Sequence, residues 1–248
     1  MDGGLPHGWT GRKGAEAALT QAGPQTQFRD DSHSRRDFIL ANTALIPVPL
    51  VPEIRLHLAH EAHELWLRTE EELQQIGLPP PFWAFAWAGG QAVARYILDN
   101  PQTVAGKSAL DLATGSGLVA IAACLADAAQ VTANDIDPFA MAALSLNMDA
   151  NGVGISANTS DYSNAAALPI FDVVLAGDIF YDRELADRFW PLLQDAATSG
   201  MAVLIGDPGR AYLPGRGLEQ LDEYEVPVTR ELEDSEIKRT RVWQVTTG

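Results

Sequence analysis

The sequence predicts an α/β fold, a mostly parallel sheet with helices on both faces and an antiparallel C-terminal edge. Three observations predict it. From residue 108 onward, short apolar runs of strand length alternate with helical runs, the pattern of a parallel sheet with crossover helices. The apolar run at 108–111, ending in Asp111, breaks into a turn containing Gly115 and Gly117 and opens straight into a helical run over 118–127. Backbone N–H groups and a positive helix end therefore converge on one spot. In the last quarter, two strand-like runs at 224–229 and 241–246 flank the charged segment 231–238, as a closing antiparallel pair would.

A chain of 248 residues holds one such domain with an appendage. The expected divisions are a disordered tail (1–33), an N-terminal extension with an aromatic Gly-Gly segment (34–90) and the main domain (91–248). Residues 1–33 are rich in Gly, Gln, Thr and Asp and have no apolar period, which marks a tail. Asp2, Glu16, Asp30 and Asp31 disfavour a signal or transit peptide. No apolar run reaches the roughly 20 residues that span a bilayer. The lone Cys124 excludes an internal disulfide framework and points to a reducing, cytoplasmic setting. A net charge of −16 argues against nucleic acid and suits a basic partner, such as an amine or a lysine-bearing protein surface. A monomer is expected.

Within the extension, 34–43 reads as a short helix and 46–52, with three prolines, as extended chain. Residues 54–58 alternate apolar and polar, the strand period, and 61–76 turn helical before Gly77. His57, His60 and His63 lack the His-Glu-x-x-His spacing of a metal-binding helix, so they are read as a solvated face and no metal site is expected. Residues 79–90 then place four aromatics in a Pro/Gly frame, closed by Gly89 and Gly90 before a helix at 91–99. Phe82 and Phe85 are read as core, and Trp83 and Trp87 as the wall of a binding cleft. Beyond Gly117 follow a strand (130–135), a helix (139–150), strands (156–161, 171–177), a helix (183–197) and a strand (201–206).

In such a sheet, ligands bind outside the carboxyl ends of the strands. Those ends here carry Asp111 with Gly115 and Gly117, then Asp135, Asp161, Asp178 with Tyr181, and Asp207. Asp135, 18 positions beyond Gly117, stands where a carboxylate accepts both hydroxyls of a ribose. A dinucleotide wants a third glycine, and the chain has Ala120 there. It would also set its pyrophosphate beside Asp111. At an effective dielectric near 20, unlike charges about 4 Å apart gain roughly 4 kcal/mol and like charges lose as much. A cofactor with a sulfonium and an ammonium, S-adenosyl-L-methionine, is therefore the better match. Asp161 is then placed to accept from the adenine amine and Ile136 to pack on the base.

Three segments resemble the motifs of seven-strand, Rossmann-like methyltransferases. They are Asp-Leu-Ala-Thr-Gly-Ser-Gly (111–117), Asn-Asp-Ile-Asp-Pro (134–138) and Gly-Asp-Ile-Phe-Tyr-Asp (177–182). Pro-Phe-Trp-Ala-Phe-Ala-Trp-Ala-Gly-Gly-Gln-Ala (81–92), Arg-Tyr-Ile-Leu-Asp-Asn-Pro (95–101) and Leu-Ile-Gly-Asp-Pro-Gly-Arg (204–210) resemble, more narrowly, the electron-transfer flavoprotein β-subunit lysine methyltransferases, in their bacterial form. The resemblance covers roughly residues 47–247 and departs at Ala113, where many members carry Gly. It implies methyl transfer from S-adenosylmethionine to a lysine of a flavoprotein β subunit. Carried over, Asp111, Thr114, Gly115 and Gly117 hold the methionine end of the cofactor, Asp135 the ribose, and Asp178 to Tyr181 the lysine entrance. Asp178 is expected to orient the amine and Tyr181 to shape the channel; both are the catalytic candidates. The competing expectations are a ribosomal-protein or small-amine N-methyltransferase, an NAD-type oxidoreductase, and a non-catalytic docking module.

Overall fold

The computed structural model describes residues 32–59, 80–164, 167–228 and 236–247. Most of the expected tail, the expected helix over 61–76 with His60 and His63, and part of the charged segment at 231–238 lie outside the described residues. Strands β1 (Ala44–Pro47) and β2 (Arg55–Leu58) form a separate antiparallel hairpin. The other seven strands among the described residues make one sheet: β3 (Ser108–Leu112), β4 (Gln130–Asn134), β5 (Ser156–Asn158), β6 (Val173–Gly177), β7 (Ala202–Asp207), β8 (Leu218–Pro227) and β9 (Ile237–Val245). Their order is β5-β4-β3-β6-β7-β9-β8. Neighbours from β5 to β7 are parallel, and β9 runs antiparallel to both β7 and β8. The chain leaves β3 toward β4 and β5 on one side and returns to β6 and β7 on the other. The switch point between β3 and β6 opens a crevice at their carboxyl ends.

Among the described residues five helices accompany the sheet: α1 (Ser32–Asn42), α2 (Ala88–Asp99), α3 (Leu118–Leu125), α4 (Pro138–Asn151) and α5 (Arg183–Thr198). One buried apolar layer joins α2 and α3 to the sheet through Val93, Ile97, Val119 and Leu175; a second joins α5 to the other face through Phe189, Leu193, Val174 and Ile205. Val48, Val51, Ile54 and Leu56 belong to the first layer, so part of the N-terminal extension shares its core with the sheet. Among the described residues no helix is long and apolar enough to cross a membrane.

Two expectations need correcting. Helix α2 begins at Ala88, not after the glycine pair, so Gly89 and Gly90 lie in its first turn and the expected boundary at 90/91 falls inside it. Glycine in a helix costs on the order of 1 kcal/mol relative to alanine, and close approach explains its use here. A Cβ on Gly89 would strike the Gly206 carbonyl and the Asp178 carboxylate, and one on Gly177 would lie 2.7 Å from Gly90 Cα. Backbone thus rests on backbone, and α2 sits directly on the ends of β6 and β7. The second correction concerns β8, which starts at Leu218 rather than 224 and takes in Glu219, Glu223 and Glu225. Its partner β9 pairs with it residue by residue, from Leu218 opposite Val245 to Pro227 opposite Ile237, with one bulge at Gln220/Asp222. As the sheet edge, β8 tolerates charges that a central strand would not, and Glu223 pairs with Arg241 at 2.7 Å.

Candidate active site

A cavity of about 370 Å³ lies over the carboxyl ends of β3, β4 and β6, within the range of ligand pockets. At its floor Asp111, buried at the end of β3, accepts hydrogen bonds from the Thr114 hydroxyl and, at 3.0 Å, from the Ala120 N–H. Both bonds reach Oδ2; among the described residues no donor is bonded to Oδ1. The turn that follows has positive φ at Ala113 (54°), Gly115 (52°) and Gly117 (86°). Its Gly115 N–H donates to Asp135 Oδ2 at 2.9 Å, tying the turn to the end of β4. Gly117 caps α3 and is backed by Leu144, which a Cβ there would meet at 2.6 Å. It shapes the turn from behind and is not among the residues lining the cavity.

Asp135 Oδ1 accepts from the Asp137 N–H at 3.0 Å, and Asp137 Oδ1 accepts from the Phe139 N–H at 2.8 Å as the cap of α4. Burial, with the neighbouring Asp135 charge, pushes the Asp111 and Asp137 carboxyls up to about 7, and burial also raises Asp135. Asp161 lies three positions past β5, where Oδ1 accepts from Ser163 N–H and Oγ at 3.0 and 2.6 Å, and it too lines the cavity. Ile136 is 63% exposed on the same wall. Among the described lining residues the acids outnumber the one guanidinium, Arg210. Such a ring repels a polyphosphate and is relieved by a cation, so these residues fit a ligand with a positive centre next to a ribose.

The aromatic wall is arranged differently from expectation. Trp83 is buried and stacks on Phe139 (5.9 Å between centroids, 11° between planes), so much of its surface is core. Phe82, expected as core, instead spans the rim between Trp87 (5.9 Å) and Tyr181 (5.3 Å). The cause is the 3₁₀ turn Phe82–Ala84, in which successive side chains diverge by about 120°. The Trp87 indole N–H donates to the Phe82 carbonyl at 2.8 Å, fixing the rim. Phe82, Trp83, Phe85 and Trp87 all line the cavity.

Asp178, just beyond β6 at a φ of 55°, is buried and already engaged on both oxygens. Oδ2 accepts from the Gly89 N–H and, at 3.2 Å, from the Gly90 N–H. It thereby caps α2, whose own Trp87 cap has no side-chain bond. Oδ1 accepts from Arg210 Nη2 and Nε at 2.7 and 3.0 Å. Nearby, burial followed by the Asp182 and Asp135 charges pushes the Tyr181 hydroxyl up to about 12.

Two residues, Arg210 and Asn147, carry no role that the sequence announces, and Asp207 is expected only as one of the strand-end acids. Arg210 stands at the end of the quoted Gly-Asp-Pro-Gly-Arg run, whose turn signal was visible although no role was read from it. Asp207 Oδ1 accepts from the Gly209 and Arg210 N–H groups at 2.6 and 2.7 Å, shaping that turn, while its Oδ2 is buried without a partner among the described residues. Burial and the Asp178 charge push Asp207 up to about 7. Asn147, fully buried on α4, donates to the Ser116 carbonyl at 2.7 Å and accepts from the His57 N–H at 2.8 Å. It bridges the glycine turn to β2, and no local pattern announces it. Among the described residues no group of three or more His, Cys, Asp or Glu is arranged to hold a metal ion.

A family model for ribosomal protein L11 methyltransferase (PrmA) matches residues 96–207. Relatives that match most of the chain are more informative. The chain is 38% identical to the electron transfer flavoprotein beta subunit lysine methyltransferase of Danio rerio, over 84% of this chain and 82% of that protein. Against the mouse protein of the same name it is 40% identical, over 78% and 77% of the two chains. The human one is 37% identical, over 78% and 75%.

Proposed function

We propose, from the premise that this chain belongs to the electron transfer flavoprotein beta subunit lysine methyltransferase family, that it methylates lysine side chains on the β subunit of such a flavoprotein, with S-adenosylmethionine as donor. One observation carries the reading: a single cavity joins the acid-ringed turn at Asp111 to an aromatic rim of Phe82, Trp87 and Tyr181. The first half suits a sulfonium cofactor and the second a long amine-tipped side chain. When bound, S-adenosylmethionine supplies an electrophilic methyl group. Asp111, Thr114 and Gly115 would hold its methionine end, Asp135 its ribose, and Ile136 with Asp161 its base.

The chain's own residues then have two tasks. A lysine with a pKa near 10.4 is neutral in only about one molecule in 10³ at pH 7. Desolvation against the aromatic rim lowers that pKa and favours the reactive amine; the proton leaves to water. Tyr181, neutral across the physiological range, acts as wall and hydrogen-bond partner and not as a base. Asp178 holds the first turn of α2 and Arg210 in place, so it positions the channel rather than receiving the lysine with an unpaired carboxylate.

The PrmA match supports a second reading, a ribosomal protein as substrate, although it leaves out the aromatic rim at 82–87. The purified protein, incubated with S-adenosylmethionine and either the flavoprotein or ribosomal protein L11, distinguishes the two by mass spectrometry. Methyl mass gains on flavoprotein lysines are expected. Gains on the ribosomal protein alone would overturn the reading.

A further inference from the structure

We propose that Arg210 sets the charge of the substrate channel: its guanidinium neutralises Asp178, so that an entering lysine meets no unpaired carboxylate and is released from its proton more readily. The inference rests on the lysine reading above and adds to it a residue acting on the substrate's ionisation.

The geometry is that of a fixed cation. Arg210 reaches Asp178 Oδ1 through two nitrogens, at 2.7 and 3.0 Å, and its side chain is only 17% exposed. Its guanidinium carbon lies 5.7 Å from the Trp87 ring centroid, a cation–π distance. The backbone is held at both sides, by Asp207 Oδ1 on the Arg210 N–H and by the Leu213 N–H donating to the Arg210 carbonyl at 3.2 Å. Arg210, Asp178, Tyr181 and Gly90 line the same cavity.

A carboxylate facing the channel without a counter-charge would stabilise the substrate ammonium and raise its pKa, and each unit of that rise removes nine-tenths of the remaining neutral amine. Carboxylate chemistry that helps a lysine bind would thereby hinder its reaction. Arginine resolves the conflict because it keeps its charge at every working pH. The other charged or titratable groups near this end are Asp207, Tyr181, and the Asp135 and Asp182 carboxylates that bear on Tyr181. Of these Asp207, at about 7, titrates where the enzyme works. The test is therefore made in an Asp207→Asn background, which keeps the Oδ1 acceptor and removes the titration.

In that background, Arg210→Gln is expected to move the acid limb of kcat/KM for lysine methylation upward by on the order of one pH unit, and Arg210→Lys to return it. The second readout needs no turnover. With S-adenosylhomocysteine saturating, a lysine peptide of the flavoprotein subunit at pH 7 should bind the Gln variant several-fold more tightly than the parent, and the same peptide with norleucine should not. A loss of rate uniform across pH, with unchanged peptide affinity, would overturn the proposal and leave Arg210 as a clamp on Asp178 alone. A parent protein that methylates no lysine at any pH would overturn the underlying reading, and this proposal with it.

Discussion

At the residue scale the site depends on atoms that are absent. Gly89 has no room for a Cβ because the Gly206 carbonyl and Asp178 carboxylate occupy its place. Gly89→Ala should therefore lower stability by about 2–3 kcal/mol in urea unfolding, the size of a forced overpacking. Gly154→Ala, with nothing within 4 Å, should stay within about 0.5 kcal/mol. Equal effects at both positions would refute the packing account. Residue identity at strand ends was legible: Asp111, Asp135, Asp161, Asp178 and Tyr181 all reach one cavity, because a parallel sheet sends every strand's carboxyl end to the same side. Side-chain engagement was not legible. Nothing local to Asp178 says that its partners are Gly89, Gly90 and Arg210, which stand 89, 88 and 32 positions away.

The elements show the same division. Strand and helix order followed from apolar periods, and the corrections came where neighbours overruled them. Helix α2 takes in two glycines because Asp178 caps it from across the site, and β8 extends through acids because β9 offers a full ladder. Helix α4 carries a consequence of its own. Through Asn147 it ties the Ser116 carbonyl to the His57 N–H of β2, so the glycine turn is braced from the N-terminal hairpin. Asn147→Ala leaves a buried carbonyl and a half-buried N–H without their partner, and should cost about 1–3 kcal/mol of stability. Calorimetry should show weaker binding of S-adenosylhomocysteine as well. Lost stability with unchanged affinity would mean that the amide serves the core alone.

For the whole molecule, the buried acids set a pH dependence whose sign is opposite to that of an ordinary salt-bridged protein. Asp111, Asp137 and Asp207 rise from 3.8 to about 7 on folding. Between about pH 4 and 7 the folded chain retains protons that the unfolded chain gives up, so stability falls as pH rises through that window. Glu53, lowered by its bond to Arg95 at 2.8 Å, acts the other way, and its contribution is lost as the solution becomes more acid than the carboxylate range. The ligand-free protein should therefore melt at a higher temperature at pH 5 than at pH 8. S-adenosylmethionine, by supplying a positive centre beside Asp111, should flatten that decline more than uncharged-sulfur S-adenosylhomocysteine does. Melting curves for the three states that fall in parallel would contradict this account.

The contact between α2 and the ends of β6 and β7 also orders events in time. Emerging from the ribosome, residues 88–90 have a helix start with no side chain of their own to cap it. The cap arrives with Asp178, and the cation that holds the cap arrives only with Arg210. A nascent or truncated chain that stops short of that turn has both glycines of the turn after β3 and still lacks a finished channel. Methyl transfer therefore waits on the last quarter of the chain to be made, although the glycine turn proposed to hold the cofactor is encoded near the middle.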